Sequence, residues 1–472
     1  MVGAGYVGLV SSACFAEFGH HVVCVDNNAD RIAELNAGKV AIYEPGLDIA
    51  VAENHRAGRL SFSTGLAGAV AGSDAVFIAV GTPARGGDGQ ADLSFVHAVA
   101  REVASALSGY TVVVTKSTVP VGTGDAVEEI IRELRPNAAF AVVSNPEFLR
   151  EGSAIEDFKR PNRIVVGTVD KRAREVMRAI YRPLYLNQAP VLFTDRRTAE
   201  LAKYASNAFL ATKVAFINEM ADLCEKTGAN IQDVAQCMGL DNRIGPKFLH
   251  PGPGFGGSCF PKDLHALLST ASKNGVELGI AAAASAANMR RKRGLAGRIG
   301  RALGGSLAGK TIAVLGLTFK PNTDDMREAP SLALVPDLLA ARATVRVFDP
   351  RCVDQARALL PGTVLAADPY DCAAGGDALV LLTEWEPFRA LDLARLRAAM
   401  RRPLIIDFRN IYPPAEIRSH GFTYHSVGRS LLDGDELVDS TDKNGIRSSS
   451  DLSAIVLPSL PATAIRQAGR LA

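Results

Sequence analysis

The sequence predicts an α/β fold of two doubly wound modules flanking a helical segment, and three observations predict it. Short β-branched runs alternate with amphipathic stretches up to about residue 190. Almost no strand-like run follows between Thr198 and Arg293. The alternation returns from Lys310. Strands that alternate with helices build a parallel sheet covered on both faces. The 472 residues leave room for about three domains.

In the first module, His21–Val25, Ala75–Val80, Thr111–Thr115, Ala139–Val143 and Arg163–Gly167 are apolar runs bounded by turn residues, which reads as buried strands. Ala91–Ser108 has a helical pattern between them. The middle segment carries helical stretches at Thr198–Thr227, Asp263–Asn274 and Gly279–Arg293. In the second module the strands are Thr311–Leu315, Thr344–Phe348, Ala378–Leu382 and Pro403–Ile406. A glycine follows the first strand (Gly316) and an aspartate the second (Asp349), echoing the N-terminal half. The divisions drawn are 1–195, 196–300 and 301–432, with 433–472 as a polar, flexible tail.

Lys and Arg number 52 against 50 Asp and Glu, a net of +2. That balance argues against binding nucleic acid through bulk charge. Seven cysteines, Cys14, Cys24, Cys224, Cys237, Cys259, Cys352 and Cys372, are scattered without a CxxC pair. They point away from a disulfide framework and toward a reducing cytoplasm. No run of about 18 apolar residues predicts a membrane span. Residues 1–16 lack the positive start of a signal peptide. Histidine spacing matches no metal motif.

Gly3-x-Gly5-x-x-Gly8 is the fingerprint of a Rossmann-like dinucleotide site: a tight turn, a close approach for the pyrophosphate, and close helix packing. Asp26 ends the next strand about 20 residues on, where a carboxylate meets ribose hydroxyls and disfavours a 2′-phosphate, so NAD is expected over NADP. Only Met1 and Val2 precede the fingerprint. The first strand therefore reads as truncated, with impaired folding or cofactor binding expected from unpaired backbone groups.

Gly252-Pro-Gly-Phe-Gly-Gly-Ser-Cys259-Phe-Pro-Lys262-Asp263 places a cysteine at a helix entry. Its glycines let backbone approach a ligand, while the helix N-terminus and Lys262 favour a thiolate. A buried structural cysteine beside a loop is the alternative. Lys203 and Asn207 share a helix face at i, i+4 and together suit an oxyanion, although an exposed polar face has the same spacing. Thr118 and the stretch Asn145–Gly152, with Glu147 and Glu151, follow strands, where such sheets bind ligands. Capping carboxylates in a plain loop fit there equally. Lys320 and Arg327 follow the first strand of the second module and suit a hydroxyl or phosphate, or else an inter-domain salt bridge. Arg290–Arg293 reads as a solvated helix end.

A dinucleotide site together with a nucleophilic cysteine and an oxyanion pair suits an alcohol taken to an acid. A thiohemiacetal presents a hydride for the second oxidation, and the thioester is then hydrolysed. The motifs GxGYVG, VGTP, STVPVGT, NPEFLREG, GFGGSCFPKD and FKPNTDDMR, with the Lys203/Asn207 helix, resemble the UDP-glucose/GDP-mannose dehydrogenase family over residues 2–430. The resemblance is to its members that oxidise UDP-glucose to UDP-glucuronate with NAD. It implies two Rossmann-like domains joined by a central helical domain that forms a homodimer.

By the same resemblance Cys259 is the nucleophile. Lys203 and Asn207 stabilise the oxyanion, with Lys203 also a candidate acceptor of the hydroxyl proton. Asp263, Thr118 and Glu147 orient the hydrolytic water. Glu147, Phe148, Leu149, Arg150, Glu151, Phe248, Leu249, His250, Pro251, Gly252, Gly256 and Lys320 grip the nucleotide sugar, together with Lys203 and Asn207. Val7, Asp26, Arg31, Thr82, Thr118, Glu151, Lys262 and Arg327 contact NAD beside the three glycines. Arg31 stands where the family usually has lysine. GDP-mannose is the alternative substrate, and the SCFPKD form argues against an N-acetylhexosamine. A silent NAD- or nucleotide-sugar-binding regulator is the reading from a different class.

Overall fold

β-Branched and aromatic side chains pack well on a pleated surface covered on both sides, and the expected runs become strands. The computed structural model describes residues 1–83, 85 and 91–429. Within them the first module's strands include Val22–Val25, Ala75–Ile78, Thr111–Thr115, Phe140–Ser144 and Ile164–Gly167. Two more, Leu60–Ser63 and Val191–Thr194, were not legible from the sequence. Both are short outer strands with partly exposed residues, so they lack the continuous apolar signal of a central strand. The expected tail at 433–472 lies outside the described residues.

Met1 and Val2 occupy the centre of this sheet. Val2 bridges in parallel to both Val25 and Ile78. The Met1 amino group donates to the Val23 carbonyl at 2.8 Å. Val25 N donates to Met1 O at 2.8 Å, Val2 N to Phe77 O at 2.7 Å, and Ala79 N to Val2 O at 2.8 Å. The sheet is thus continuous across the stub, and these backbone groups are paired rather than orphaned. One expectation is corrected: the sheet is not wholly parallel. Phe140–Ser144 and Ile164–Gly167 run antiparallel, meeting at Ser144 and Gly167. The loop and six-residue helix between them (Ala154–Lys159) line a cavity instead of crossing back over the sheet.

The second module repeats the strand order. Val364–Leu365, Thr344–Phe348, Thr311–Leu315, Ala378–Leu381, Leu404–Asp407 and Thr423–Ser426 lie side by side, and every pair is parallel. In both modules the order reverses beside the first strand. That leaves a crevice at the carboxyl ends, where ligands bind in such sheets.

Between the modules runs a 32-residue helix, Arg196–Thr227. Asp195 caps its start by accepting from Thr198 N, and Gly228 ends it in the left-handed conformation. Phe260–Lys273 and Gly279–Arg293 pack against it. The Arg290–Arg293 helix end is not simply solvated: Arg291 and Lys292 are buried. Arg291 Nε donates to Gly252 O at 2.9 Å, and Lys292 Nζ to the Glu328 carbonyl at 3.0 Å. These two cations fasten the glycine-rich loop and the second module to the central helices.

Candidate active site

Three glycines shape the turn ahead of the helix Tyr6–Glu17. A Cβ at Gly3, whose φ is +104°, would lie 2.6 Å from the Ala79 carbonyl oxygen, and one at Gly8 would lie 1.8 Å from Gly3 O. Packing alone forbids side chains there. At Gly5 a Cβ would meet nothing within 4 Å. Gly5 also caps the helix with no side-chain bond to its first amides. Open space before free helix N–H groups suits a pyrophosphate.

Asp26 Oδ2 accepts from Ala4 N at 2.7 Å and from Arg31 at 3.3 Å. The carboxylate therefore both braces the turn and borders the crevice. Val7 is half-buried on the first helical turn, and Thr82 is buried with its Oγ1 donating to Thr118 O at 3.0 Å. The residues present fit a dinucleotide.

Beside this crevice lies a cavity of about 740 Å³ lined by Asn145–Ser153, the central helix, Gly256–Phe260 and Phe319–Asn322. Lys203 and Asn207, one helical turn apart, are both buried, not on an exposed polar face. Lys203 Nζ lies 3.5 Å from Glu147 Oε1, and Asn207 Nδ2 donates to Asp263 Oδ2 at 2.6 Å. Lys262 Nζ donates to the other Asp263 oxygen at 2.8 Å. Ser258 Oγ is 3.6 Å from Cys259 Sγ and donates to Glu151 Oε1 at 3.1 Å. Cys259 caps the helix Phe260–Lys273, with Pro261 in its first turn.

The surroundings of Cys259 work against the thiolate expected there. Burial, reinforced by Glu147 and Asp263, pushes the Cys259 thiol up to about 11, against the pull of Lys203 and Ser258. Desolvation disfavours an anion more than one helix terminus favours it, and Lys262 is engaged with Asp263. At Lys203 burial lowers the proton affinity, but Glu147, Cys259 and Asp263 raise it further, for a net rise. An ammonium with a raised pKa suits an oxyanion better than it suits taking a proton. Burial and Asp325 push the Glu151 carboxyl up to about 7, against Arg327 and Lys320. Burial lowers Lys320.

The glycines before Cys259 have a different reason from the one expected. A Cβ at Gly256 would lie 2.3 Å from Glu328 O, and one at Gly257 would lie 2.7 Å from the Phe319 ring. They let the second module press on the cysteine loop, although both glycines also line the cavity.

Phe148, Leu149, Arg150, Glu151, Phe248 and Lys320 line the cavity as expected. The rest of the Phe248–Gly252 stretch does not. Leu249 is buried in the core shared with the second module, and His250 is exposed. Pro251 is buried, and Gly252 bonds Asn218 through its N and Arg291 through its O. Backbone leaving Phe248 at φ +65° turns the chain away from the cavity. Thr118 accepts from Thr82 Oγ1 through its backbone oxygen and lies outside the cavity lining. Arg327 holds Asp325 by two bonds of 2.8 Å and reaches Glu151 at 3.5 Å. Arg150 pairs with Asp157.

Several cavity residues were missed, among them Lys116, Arg163 and Tyr181. Lys116 carried the one available signal, a charge directly after the β-branched run Thr111–Thr115. Glu44 was missed too: buried, it accepts from Tyr6 OH, Gly152 N and Ala154 N, tying the fingerprint turn to the cavity loop. Cys237 is exposed, whereas Cys14, Cys24, Cys224, Cys352 and Cys372 are buried.

The domain patterns of one family match this chain: its NAD binding domain at residues 1–185, its central domain at 197–290 and its UDP binding domain at 313–414. The chain is 61% identical over 431 residues to a UDP-glucose 6-dehydrogenase of Rhizobium meliloti (strain 1021), covering 91% of this chain and 99% of that protein. It is 48% identical over 439 residues to a UDP-glucose 6-dehydrogenase of Pseudomonas aeruginosa, covering 91% and 97%. A solved UDP-glucose dehydrogenase from the archaeon Pyrobaculum islandicum superposes with a TM-score of 0.84 at 40% identity, covering 91% and 97%. Matched in all three domains, in order and nearly end to end, the chain belongs to the UDP-glucose/GDP-mannose dehydrogenase family.

Proposed function

We propose that this chain oxidises UDP-glucose to UDP-glucuronate in two successive two-electron steps. The observation that carries this reading is the convergence of Cys259, Lys203, Asn207 and Glu147 at one cavity beside a dinucleotide crevice. A single alcohol-to-aldehyde oxidation needs no buried thiol. NAD, when bound, supplies the hydride acceptor for both oxidations.

Gly3, Gly5, Val7, Gly8, Asp26, Arg31, Thr82 and Thr118, together with Glu151, Lys262 and Arg327, would hold NAD. Glu147–Glu151, Phe248, Gly256 and Lys320 grip the nucleotide sugar. In the first oxidation C6 gives up a hydride and its hydroxyl gives up a proton to water. Cys259 Sγ then adds to the C6 aldehyde carbon as the C=O π pair moves onto O6, the thiol proton passes to water, and the oxyanion meets Lys203 and the Asn207 amide. Asp263 orients that amide. Loss of hydride from the thiohemiacetal leaves a thioester. Water, oriented by Asp263 and Glu147, hydrolyses it to the acid and restores the thiol.

Phe209, Phe216 and Leu223 recur at seven-residue spacing on the central helix and are 67%, 45% and 54% exposed. An apolar stripe of that kind supports a homodimer through this helix. No helix among the described residues is long and apolar enough to cross a membrane. Seven unpaired cysteines suit a cytoplasmic setting.

The test is to count NADH per UDP-glucose, with GDP-mannose as the rival substrate. Two NADH and UDP-glucuronate are expected. One NADH with free aldehyde, or faster turnover of GDP-mannose, overturns the reading. Cys259→Ser is expected to stop acid formation, and a sugar adduct at Cys259 should be trapped by mass spectrometry in the unaltered chain.

A further inference from the structure

One buried cation at the cavity has no part in the reaction above. Lys116 follows the strand Thr111–Thr115, is 4% exposed and lines the cavity. Its Nζ donates to Asn145 Oδ1 at 3.2 Å and to the Tyr181 hydroxyl oxygen at 3.3 Å. The Tyr181 hydroxyl donates to the same Asn145 oxygen at 2.6 Å, and Asn145 Nδ2 donates to Val165 O at 2.7 Å. The rings of Phe158 and Tyr181 lie 6.0 and 5.9 Å from Nζ.

A charge so placed is an expensive way to fill space, since an apolar chain of equal length avoids the desolvation. What the charge adds is direction. It clamps Asn145, two residues before Glu147, from one side, while Tyr181 and Val165 hold it from others. Glu147 in turn faces Lys203 and accepts from Leu149 N. We infer that Lys116 is a positioning residue of the oxidation: through Asn145 and Tyr181 it holds the Asn145–Phe148 turn, and with it the Glu147 carboxylate, against Lys203.

The charged or titratable groups facing Lys116 are Glu147 from the same loop, Lys203 from the central helix and Tyr181 from the helix Lys171–Tyr181. Burial pushes the Lys116 ammonium down to about 8, Glu147 opposes this and Lys203 adds to it. The clamp is therefore charged at neutral pH and is lost as pH rises through about 8.

The inference rests on the proposed oxidation, so NADH release from UDP-glucose by the unaltered chain is measured first. Lys116→Met and Tyr181→Phe are then compared with it in kcat, in KM for NAD and across pH 6–10. A displaced reacting group costs about 100-fold. That loss in kcat is expected for Lys116→Met, with KM for NAD within about twofold and without the alkaline fall expected of the unaltered chain. Tyr181→Phe, which keeps the ring, is expected to lose less and to retain that fall, and it decides the question if Lys116→Met does not fold. Unaltered kcat or an unaltered alkaline limb in Lys116→Met, or unaltered kcat in Tyr181→Phe where Lys116→Met does not fold, overturns this inference alone. Failure of the unaltered chain to release NADH overturns the proposed oxidation and this inference together.

Discussion

The two modules begin alike and then use the same start for opposite ends. After the first strand each has a glycine with positive φ, Gly3 at +104° and Gly316 at +87°. A Cβ at Gly316 would lie 2.4 Å from Thr383, much as one at Gly3 would press on Ala79. After the second strand each has an aspartate that accepts from the amide following that glycine: Asp26 from Ala4 N and Asp349 from Leu317 N, both at 2.7 Å. Each also caps the amide two residues on, Asn28 or Arg351.

From there they part. In the first module a helix starts at Tyr6, and Gly5 faces open space. In the second the next helix starts only at Ser331. Asp349 is 2% exposed and sealed by Trp385 Nε1 at 3.1 Å and Thr318 N at 3.2 Å. One carboxylate borders a ligand crevice. The other is spent on holding a loop, and that loop delivers Lys320 to the cavity. A strand-end aspartate is thus a brace first, and becomes a binding group only where the neighbouring helix leaves the crevice open.

The sharpest break of the comparison is Asp349→Ala. It leaves the Leu317 amide and the Trp385 indole buried without an acceptor, an expected loss of about 3 kcal/mol, read as a lower Tm with NAD affinity of the folded chain unchanged. Gly5→Val is the mirror case. Its added side chain enters open space at β-region backbone angles, so Tm should hold while NAD binding weakens about 100-fold, near 2.7 kcal/mol by titration. Asp26→Ala should weaken NAD by about tenfold, near 1.4 kcal/mol, and narrow the preference over NADP.

The smallest effect lies where the modules meet, at Glu151 beside Arg327. Its folded carboxyl is raised to about 7, so the folded chain holds that proton more tightly than the unfolded one. Its contribution to stability is greatest in acid and falls as pH climbs through the ordinary carboxylate range to about 7. Glu151→Gln should flatten that part of a Tm-against-pH curve. An unchanged slope would mean that Glu151 is not the group responsible.

Much of the site was legible because its chemistry is local. The fingerprint Gly3-x-Gly5-x-x-Gly8, Asp26 at a strand end and Cys259 at a helix entry each follow from spacing within a few residues of chain. The Lys203/Asn207 pair was legible only as a shared helix face, and its burial was not. Lys116 and Tyr181 escaped because their clamp on Asn145 joins positions 29 and 36 residues apart, and no periodicity encodes that. Leu249 and His250 lie off the cavity lining because one residue at positive φ, Phe248, redirects the chain after it.

The sequence by itself determined the central strands, the repeated glycine-then-aspartate start of each module, and which side chains are chemically able to react. Only the tertiary structure decided that Cys259 sits where burial raises its thiol, that Gly256 and Gly257 serve packing as well as a ligand cavity, that Arg291 and Lys292 are buried, and that Asp349 is sealed. The reason is physical. Desolvation and charge pairing depend on which distant segments close over a group, as Glu151 reaches Ser258 across 107 residues, whereas helix and strand formation depend chiefly on near neighbours.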